Sequence, residues 1–138
     1  MTANTSPNLA WTLVAIQAAA QQRFSYAPEA SLQALYRLYE AGLITYPRTE
    51  TAHLPRALFK KASKLVRKLQ HWHRDGVQPN YQGPVWDDEQ IGSHHGIVPC
   101  KASAVQFALA DLSIQELNLY KLVCERFIEL FHLPTHAK

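Results

Sequence analysis

Three stretches of the chain carry the side chains with most chemical potential. Tyr46-Pro47-Arg48-Thr49 sets a phenol two residues from a guanidinium. A free phenol ionises near pH 10, so only about one in a thousand is anionic at pH 7, and it attacks an electrophile only with help. A guanidinium supplies positive charge and a planar fork matched to phosphate oxygens. His94-His95 adds imidazoles, which give or take a proton near neutrality. Residues 56–74, RALFKKASKLVRKLQHWHR, hold seven of the fourteen basic residues and no acidic one, the pattern of a surface that meets a polyanion. Each stretch also has a plainer reading. A tyrosine in an apolar strand commonly packs in a core or interface, an arginine pairs on the surface, and a basic helix is a solvated face.

Metal ligation is a further option, from His71, His73, His94, His95 and Cys100. No H-E-x-x-H and no C-x-x-C fixes such a site, which would have to be assembled from distant pieces. Asp87-Asp88-Glu89 offers hard oxygen ligands, but three adjacent acids in a loop are more often solvated. A Gly-rich phosphate loop, a G-x-S-x-G elbow and a Cys/His pair in recognisable context are all missing from the sequence. No conventional small-molecule enzyme emerges.

The elements that must position these residues are mostly helical. A helix is expected from about Thr12 to Gln22, capped by Thr12, with Leu13, Ile16 and Ala20 at helical spacing. A second is expected from Pro28, a good first-turn residue, to Ala41 before Gly42. In it Leu32, Leu35, Tyr36 and Tyr39 fall at i, i+3, i+4 and i+7 and read as one buried stripe. The short link Phe24–Ala27 makes the pair similar to a helix-turn-helix unit. Leu43–Tyr46 reads as a short strand, because Pro47 pushes its predecessor towards extended geometry. Tyr46 then stands at a strand end, fixed by the strand and exposed by the loop. A third helix, Arg56 to His73, places Leu58, Ala62, Leu65, Val66, Leu69 and Trp72 on one side and Arg56, Lys60, Lys64, Arg67 and Lys68 on the other. Residues 76–93, rich in Gly and Pro, read as an irregular connection. The last helix opens with a Ser113/Glu116 capping box, buries Leu117, Tyr120, Val123, Phe127 and Leu130, and is stopped by Pro134.

The 138 residues suit one domain or one lobe of a larger enzyme, with 47% hydrophobic residues excluding wholesale disorder. Net charge is only +3, so the cluster at 56–74 says more about partners than the total does. No apolar run approaches the roughly 18 to 20 residues needed to span a bilayer. The start, MTANTSPNLAW, has neither the basic end nor the apolar stretch of a secretory signal. Cys100 and Cys124 form no disulfide framework, and a reducing cytoplasm is the expected address.

Taken together the stretches are more telling. Leu38-Tyr39-Glu40-Ala41-Gly42-Leu43-Ile44-Thr45-Tyr46-Pro47-Arg48-Thr49-Glu50 closely resembles the catalytic-tyrosine segment of type IA DNA topoisomerases, an LYE…ITYPRTD string. Residues 12–41 resemble that family's preceding helix pair, and Leu54-Pro55 its YLP-like turn. Ser93-His94-His95-Gly96-Ile97-Val98-Pro99 is similar to its HHAIIPT, and Leu112-Ser113 to Phe131 to its LS…E…LY…I…RF…F helix. The resemblance covers about residues 9–134. Proline before the arginine and the double histidine favour the topoisomerase III branch. Glu50 departs from the usual Asp, Gly96 from an Ala and Cys100 from a Thr; Gly96 is expected to loosen the backbone beside the histidines.

The resemblance implies a mainly α fold with a few short β-strands, a helix-turn-helix or winged-helix-like tyrosine domain spanning residues 1–138. It implies Tyr46 as the nucleophile that joins the 5′-phosphate of a cut single strand. Arg48 would meet the phosphate oxygens, and His94 would contact the scissile phosphate region or join proton transfer, with His95 in a structural or supporting role. The covalent bond would conserve the energy for religation, so no ATP is needed. The charge of the third helix, which holds no distinctive motif of the family, adds Lys60, Lys64, Arg67 and Lys68 to Arg48 and His94 as the expected DNA-binding residues. The family's Mg²⁺ is held by an acidic toprim domain with a D-x-D motif, and these residues contain no D-x-D. The expectation is therefore a tyrosine-bearing gate domain that binds no metal itself. It would work with single-stranded DNA and a toprim-bearing remainder, in a cytoplasmic, nucleoid-associated setting without a membrane. Alone, it is not expected to relax supercoiled DNA. The competing reading is a non-catalytic, winged-helix-like DNA-binding module built on residues 12–41, which leaves the order Tyr-Pro-Arg-Thr and the later histidines unexplained.

Overall fold

Thr12 opens the first helix by chemistry legible in its own side chain: its hydroxyl accepts the Ala15 N–H at 3.2 Å, satisfying one of the free donors of the first turn. The structure is a computed structural model in which residues 8–69, 76–100 and 112–133 are described. Helix α1 runs Leu13–Phe24, two residues further than expected, and ends at Ser25 in the left-handed conformation, φ 63°. Three residues, 25–27, then turn the chain into α2, Pro28–Glu40, with the proline in its first turn. Gly42, at φ +78°, reverses the chain after it.

The buried face of α2 is not the stripe expected. Ser31, Ala34, Leu35 and Leu38 are the residues it buries, one position round from Leu32, Leu35, Tyr36 and Tyr39. Both sets have helical spacing, and the smaller residues win because α2 packs closely against α1 and the last helix. Tyr36 is left half-buried and Tyr39 42% exposed, on the side where the chain returns as Tyr46.

A 3₁₀ turn, Arg56–Leu58, leads into α3, Phe59–Leu69, which buries Ala62, Ser63, Val66 and Leu69. Arg56, Lys60, Lys64, Arg67 and Lys68 are exposed, as the amphipathic pattern predicts. The rest of the expected third helix, with His71, Trp72 and His73, lies outside the described residues. The last helix, α4, Ile114–Glu129, has its capping box in full: Ser113 Oγ accepts the Glu116 N–H, and Glu116 Oε1 accepts the Ser113 N–H, both at 3.1 Å. It ends at Leu130; Pro134 lies outside the described residues. Leu119, Tyr120, Val123, Phe127 and Ile128 put the core on α4, which α1, α2 and α3 all face.

Extended segments are present as expected, but among the described residues they pair only through isolated bridges. Ile44 faces Pro99, with the Thr45 N–H donating to the Val98 carbonyl at 3.0 Å and the Cys100 N–H to the Leu43 carbonyl at 2.9 Å. Pro99 fits a pairing position that asks for no N–H, while Pro47 follows close behind on the other segment. Between them the ladder continues through a side chain: Thr45 Oγ1 accepts the Val98 N–H at 3.1 Å and donates to the Gly96 carbonyl at 3.3 Å. On its other side the same segment meets the N-terminus, Ile97 bridging to Trp11. Segment 96–99 is therefore held between the entry to α1 and the segment that carries Tyr46.

Candidate active site

Tyr46 is delivered by the turn after α2 and stands half-buried between two elements. On one side are α2 tyrosines: Tyr39 meets it edge-on with centroids 5.3 Å apart, and Tyr36 edge-on at 6.2 Å. The hydroxyl oxygens of Tyr36 and Tyr46 are 3.5 Å apart. On the other side is His94, whose ring lies 4.6 Å from that of Tyr46 at an angle of 45°. An open cleft of about 220 Å³ adjoins this pair, lined by Tyr46, Pro55, Ile91, Ser93, His94 and His95.

Threonines join the two halves. Thr49 is buried, and its Oγ1 donates to the His94 carbonyl at 3.1 Å while accepting the Thr51 N–H at 3.1 Å. Thr51 Oγ1 accepts the Gly92 N–H at 3.0 Å. With Thr45 they tie residues 92–98 to the Tyr46 segment at three points. His95 turns back on its own strand, Nδ1 lying 2.7 Å from the Gly96 carbonyl oxygen, so that nitrogen carries the proton in the bonded form.

Gly96 does the opposite of loosening this loop. It is buried, and a Cβ there would stand 2.5 Å from the Ala10 Cβ. The Ala10 methyl already occupies the space that an alanine at 96 would fill, and the Gly96 N–H is fixed on the His53 carbonyl at 2.9 Å. The glycine lets two backbones approach closely.

Arg48 is exposed and faces a different hollow, about 480 Å³, with Thr12, Leu13, Val14, Thr49 and Glu50 at the start of α1. It still acts on the tyrosine group at a distance. The Tyr36 hydroxyl is held above the ordinary phenol range by its hydrogen bond to Tyr46 and by burial, and the Arg48 charge opposes that rise. Of the expected residues, then, the structure brings Tyr46 and His94 into contact and sets Arg48 on the adjoining shoulder. Lys60, Lys64, Arg67 and Lys68 lie apart, exposed on α3, with Arg67 reaching Asn80 at 3.2 Å. The sequence marks neither Tyr36, Tyr39, Thr45 nor Thr51 as a site residue, and it gives Thr49 a place in the candidate stretch but no role of its own. Spacing alone places the tyrosines in the core, and threonine carries no spacing signal for a hydrogen bond to a residue 45 positions away.

Among the described residues no group of three or more His, Cys, Asp and Glu side chains is placed to hold a metal ion. The acidic run does not offer one: Asp87 accepts the Glu89 N–H and Asp88 the Arg56 N–H. The side chains around Tyr46 do not fit a Mg²⁺ site, which calls for carboxylates. No helix among the described residues is long and apolar enough to cross a membrane.

The sequence profile of a family described as DNA topoisomerase matches residues 1–137. The chain is similar to a DNA topoisomerase 3 of Shouchella clausii (strain KSM-K16), 29% identical over 153 residues that cover 99% of this chain and 20% of the relative. A DNA topoisomerase 3 of Haemophilus influenzae is 30% identical over 130 residues, covering 89% of this chain and 19% of that one. The chain thus spans about a fifth of the length of the curated relatives it matches. In fold it is similar to full-length topoisomerase I from Thermotoga maritima, with a TM-score of 0.67 at 19% identity over 94% of this chain and 21% of that one. A profile match over nearly every residue, joined to a shared helical fold, decides the family: this chain belongs to the type IA DNA topoisomerases.

Proposed function

We propose that Tyr46 is the nucleophile of a type IA topoisomerase reaction on single-stranded DNA. The observation that carries this reading is the Tyr46–His94 pair, two rings 4.6 Å apart from segments 48 positions apart in the chain, pinned together by Thr45 and Thr49. A tyrosine meant only to fill a core does not need an imidazole against it and an open cleft beside it.

In the proposed reaction the Tyr46 oxygen bonds to a backbone phosphorus as the bond from that phosphorus to the 3′ oxygen breaks. A 5′-phosphotyrosine link and a free 3′-hydroxyl result, with the phenolic proton passing to the 3′ oxygen. His94, at the edge of the cleft, serves the proton transfer or the scissile phosphate. Arg48 offers its fork to a phosphate entering from the α1 side. Religation is the reverse, and the ester bond stores what it needs. The exposed cations of α3, Lys60, Lys64, Arg67 and Lys68, take the flanking strand through its phosphates, without regard to sequence. The Mg²⁺ that the family implies is assigned to carboxylates of a toprim domain outside these residues. The chain is accordingly read as the tyrosine-bearing gate lobe, inactive by itself and working where the DNA is, in the cytoplasm and nucleoid.

The reading is tested with a single-stranded oligonucleotide and the full-length enzyme. Label at the 3′ end must become protein-linked in denaturant, label at the 5′ end must not, and Tyr46→Phe must abolish the link. Supercoil relaxation by the 138-residue chain alone, lost in Tyr46→Phe, would overturn the assignment of the metal site to another domain. Lys60, Lys64 and Arg67 changed together to Gln should lower single-stranded DNA affinity and flatten its salt dependence; an unchanged salt slope removes α3 from the DNA path.

A further inference from the structure

Tyr36 stands on α2 two residues before the Leu38–Glu50 string, and it places its hydroxyl 3.5 Å from the Tyr46 hydroxyl. Helix α2 turns this side chain out of the core, and its ring meets that of Tyr46 edge-on at 6.2 Å and 65°, a contact a phenylalanine would make equally well. The hydroxyl is therefore the feature to explain. Tyr46, as a nucleophile, needs a partner for the negative charge its oxygen gathers on the way to the transition state. A fixed dipole aimed at that oxygen gains strength as the charge grows.

We propose that Tyr36 is a hydrogen-bond donor to the Tyr46 oxygen, keeping its own proton throughout and stabilising the charge on that oxygen in both cleavage and religation. This rests on the reading of Tyr46 as the nucleophile. In cleavage the Tyr46 oxygen bonds to phosphorus, the bond to the 3′ oxygen breaks, and the proton lost by Tyr46 ends on the 3′ oxygen. Tyr36 gains and loses nothing. In religation Tyr46 is the leaving group, and the same dipole assists its departure. A separation of 3.5 Å is long for a hydroxyl pair at rest and shortens as charge develops. The groups that bear on Tyr36 are Tyr39 from its own helix, Tyr46 and Arg48 from the segment after it, and His94 beyond Tyr46. The resistance of the Tyr36 hydroxyl to ionisation, caused first by the Tyr46 hydrogen bond, has the sense expected of a donor.

The direction of donation is readable without any activity. In the 138-residue chain with ring-¹³C tyrosine, the Tyr36 Cζ resonance is followed against pH with and without Tyr46→Phe. If Tyr36 donates, removing its acceptor moves its titration to lower pH. A titration that stays in place or moves to higher pH overturns the proposal. In the full-length enzyme, Tyr36→Phe should slow single-turnover cleavage and religation alike, by about tenfold, with single-stranded DNA affinity unchanged. Rates equal to the parent overturn it as well. Cleavage that survives Tyr46→Phe would instead overturn the reading of Tyr46, and the carbon titration keeps the two failures apart.

Discussion

Replacing Gly96 by Ala is expected to destabilise the fold and displace His94, and the size of the effect follows from one contact. A Cβ at 96 would stand 2.5 Å from the Ala10 Cβ, about 1 Å inside the closest ordinary carbon–carbon contact. Neither side is free to give way. The Ala10 N–H is tied to the Ala52 carbonyl at 2.9 Å, the Gly96 N–H to the His53 carbonyl at 2.9 Å, and both residues are buried. Gly96 is not among the residues with positive φ, so the cost is steric and not conformational. Overpacking of this kind costs about 1–3 kcal/mol, which for a chain of this size lowers Tm by about 3–10 °C. Ala10→Gly alone costs about 1 kcal/mol through a lost methyl and added backbone freedom. Since it also opens the space, the double variant should be no worse than Ala10→Gly. Urea unfolding of the four proteins gives the coupling directly. The expected value is at least about 1 kcal/mol in favour of the pair. Gly96→Ala within about 0.5 kcal/mol of the parent, or a cycle that adds without coupling, refutes the packing argument.

Three further outcomes are expected. Ser113→Ala should cost about 1 kcal/mol by opening the α4 capping box, read in urea melts; no loss would mean the cap is not stabilising. Thr49→Val keeps the shape but removes the bonds to the His94 carbonyl and the Thr51 N–H, for about 1–3 kcal/mol, and should speed amide exchange over residues 92–98; unchanged exchange would show that Thr49 does not pin this loop. Burial pushes the Cys124 thiol up to about 12, opposed by a hydrogen bond from Tyr120. The folded chain thus keeps a proton that the unfolded chain gives up above about 9, so stability is full below that pH and falls as pH rises towards 12. Iodoacetamide at pH 8 should accordingly label exposed Cys100 and spare Cys124, and Cys124→Ala should lessen the alkaline fall, leaving the part that buried Tyr120, also held above the phenol range, contributes above about pH 10; labelling of both thiols at similar rates contradicts it.

Local chemistry made the helices legible. Thr12, Pro28, Gly42 and the Ser113/Glu116 pair each act on backbone within a few residues, and each works in the structure as its type demands. Two overlapping stripes on α2 both have helical spacing, and what decides between them, the close approach of α1 and α4, lies outside the spacing that points to Tyr36 and Tyr39 as core. The strand at Leu43–Tyr46 was legible as extended chain, while its reduction to one bridge depends on meeting Pro99, 55 residues away. Tyr46 stood out because its neighbours resemble a known string. The closure of the site did not, because it rests on Thr45, Thr49 and Thr51 reaching residues 41 to 53 positions distant. The tightness at Gly96 is illegible for the same reason: what limits it is Ala10, which no local pattern connects to it.

The central claim is that Tyr46 carries the cut strand, and mapping the covalent adduct tests it most directly. The chain together with a toprim-bearing remainder, Mg²⁺ and a single-stranded oligonucleotide are mixed, quenched in denaturant and digested, and the peptides that carry nucleotide are sequenced by mass spectrometry. The prediction is a single modified peptide holding Leu43–Arg48, with the nucleotide joined to the Tyr46 oxygen through its 5′-phosphate and a fragment ending in a 3′-hydroxyl released. An adduct on another residue, or one joined through a 3′-phosphate, would contradict it.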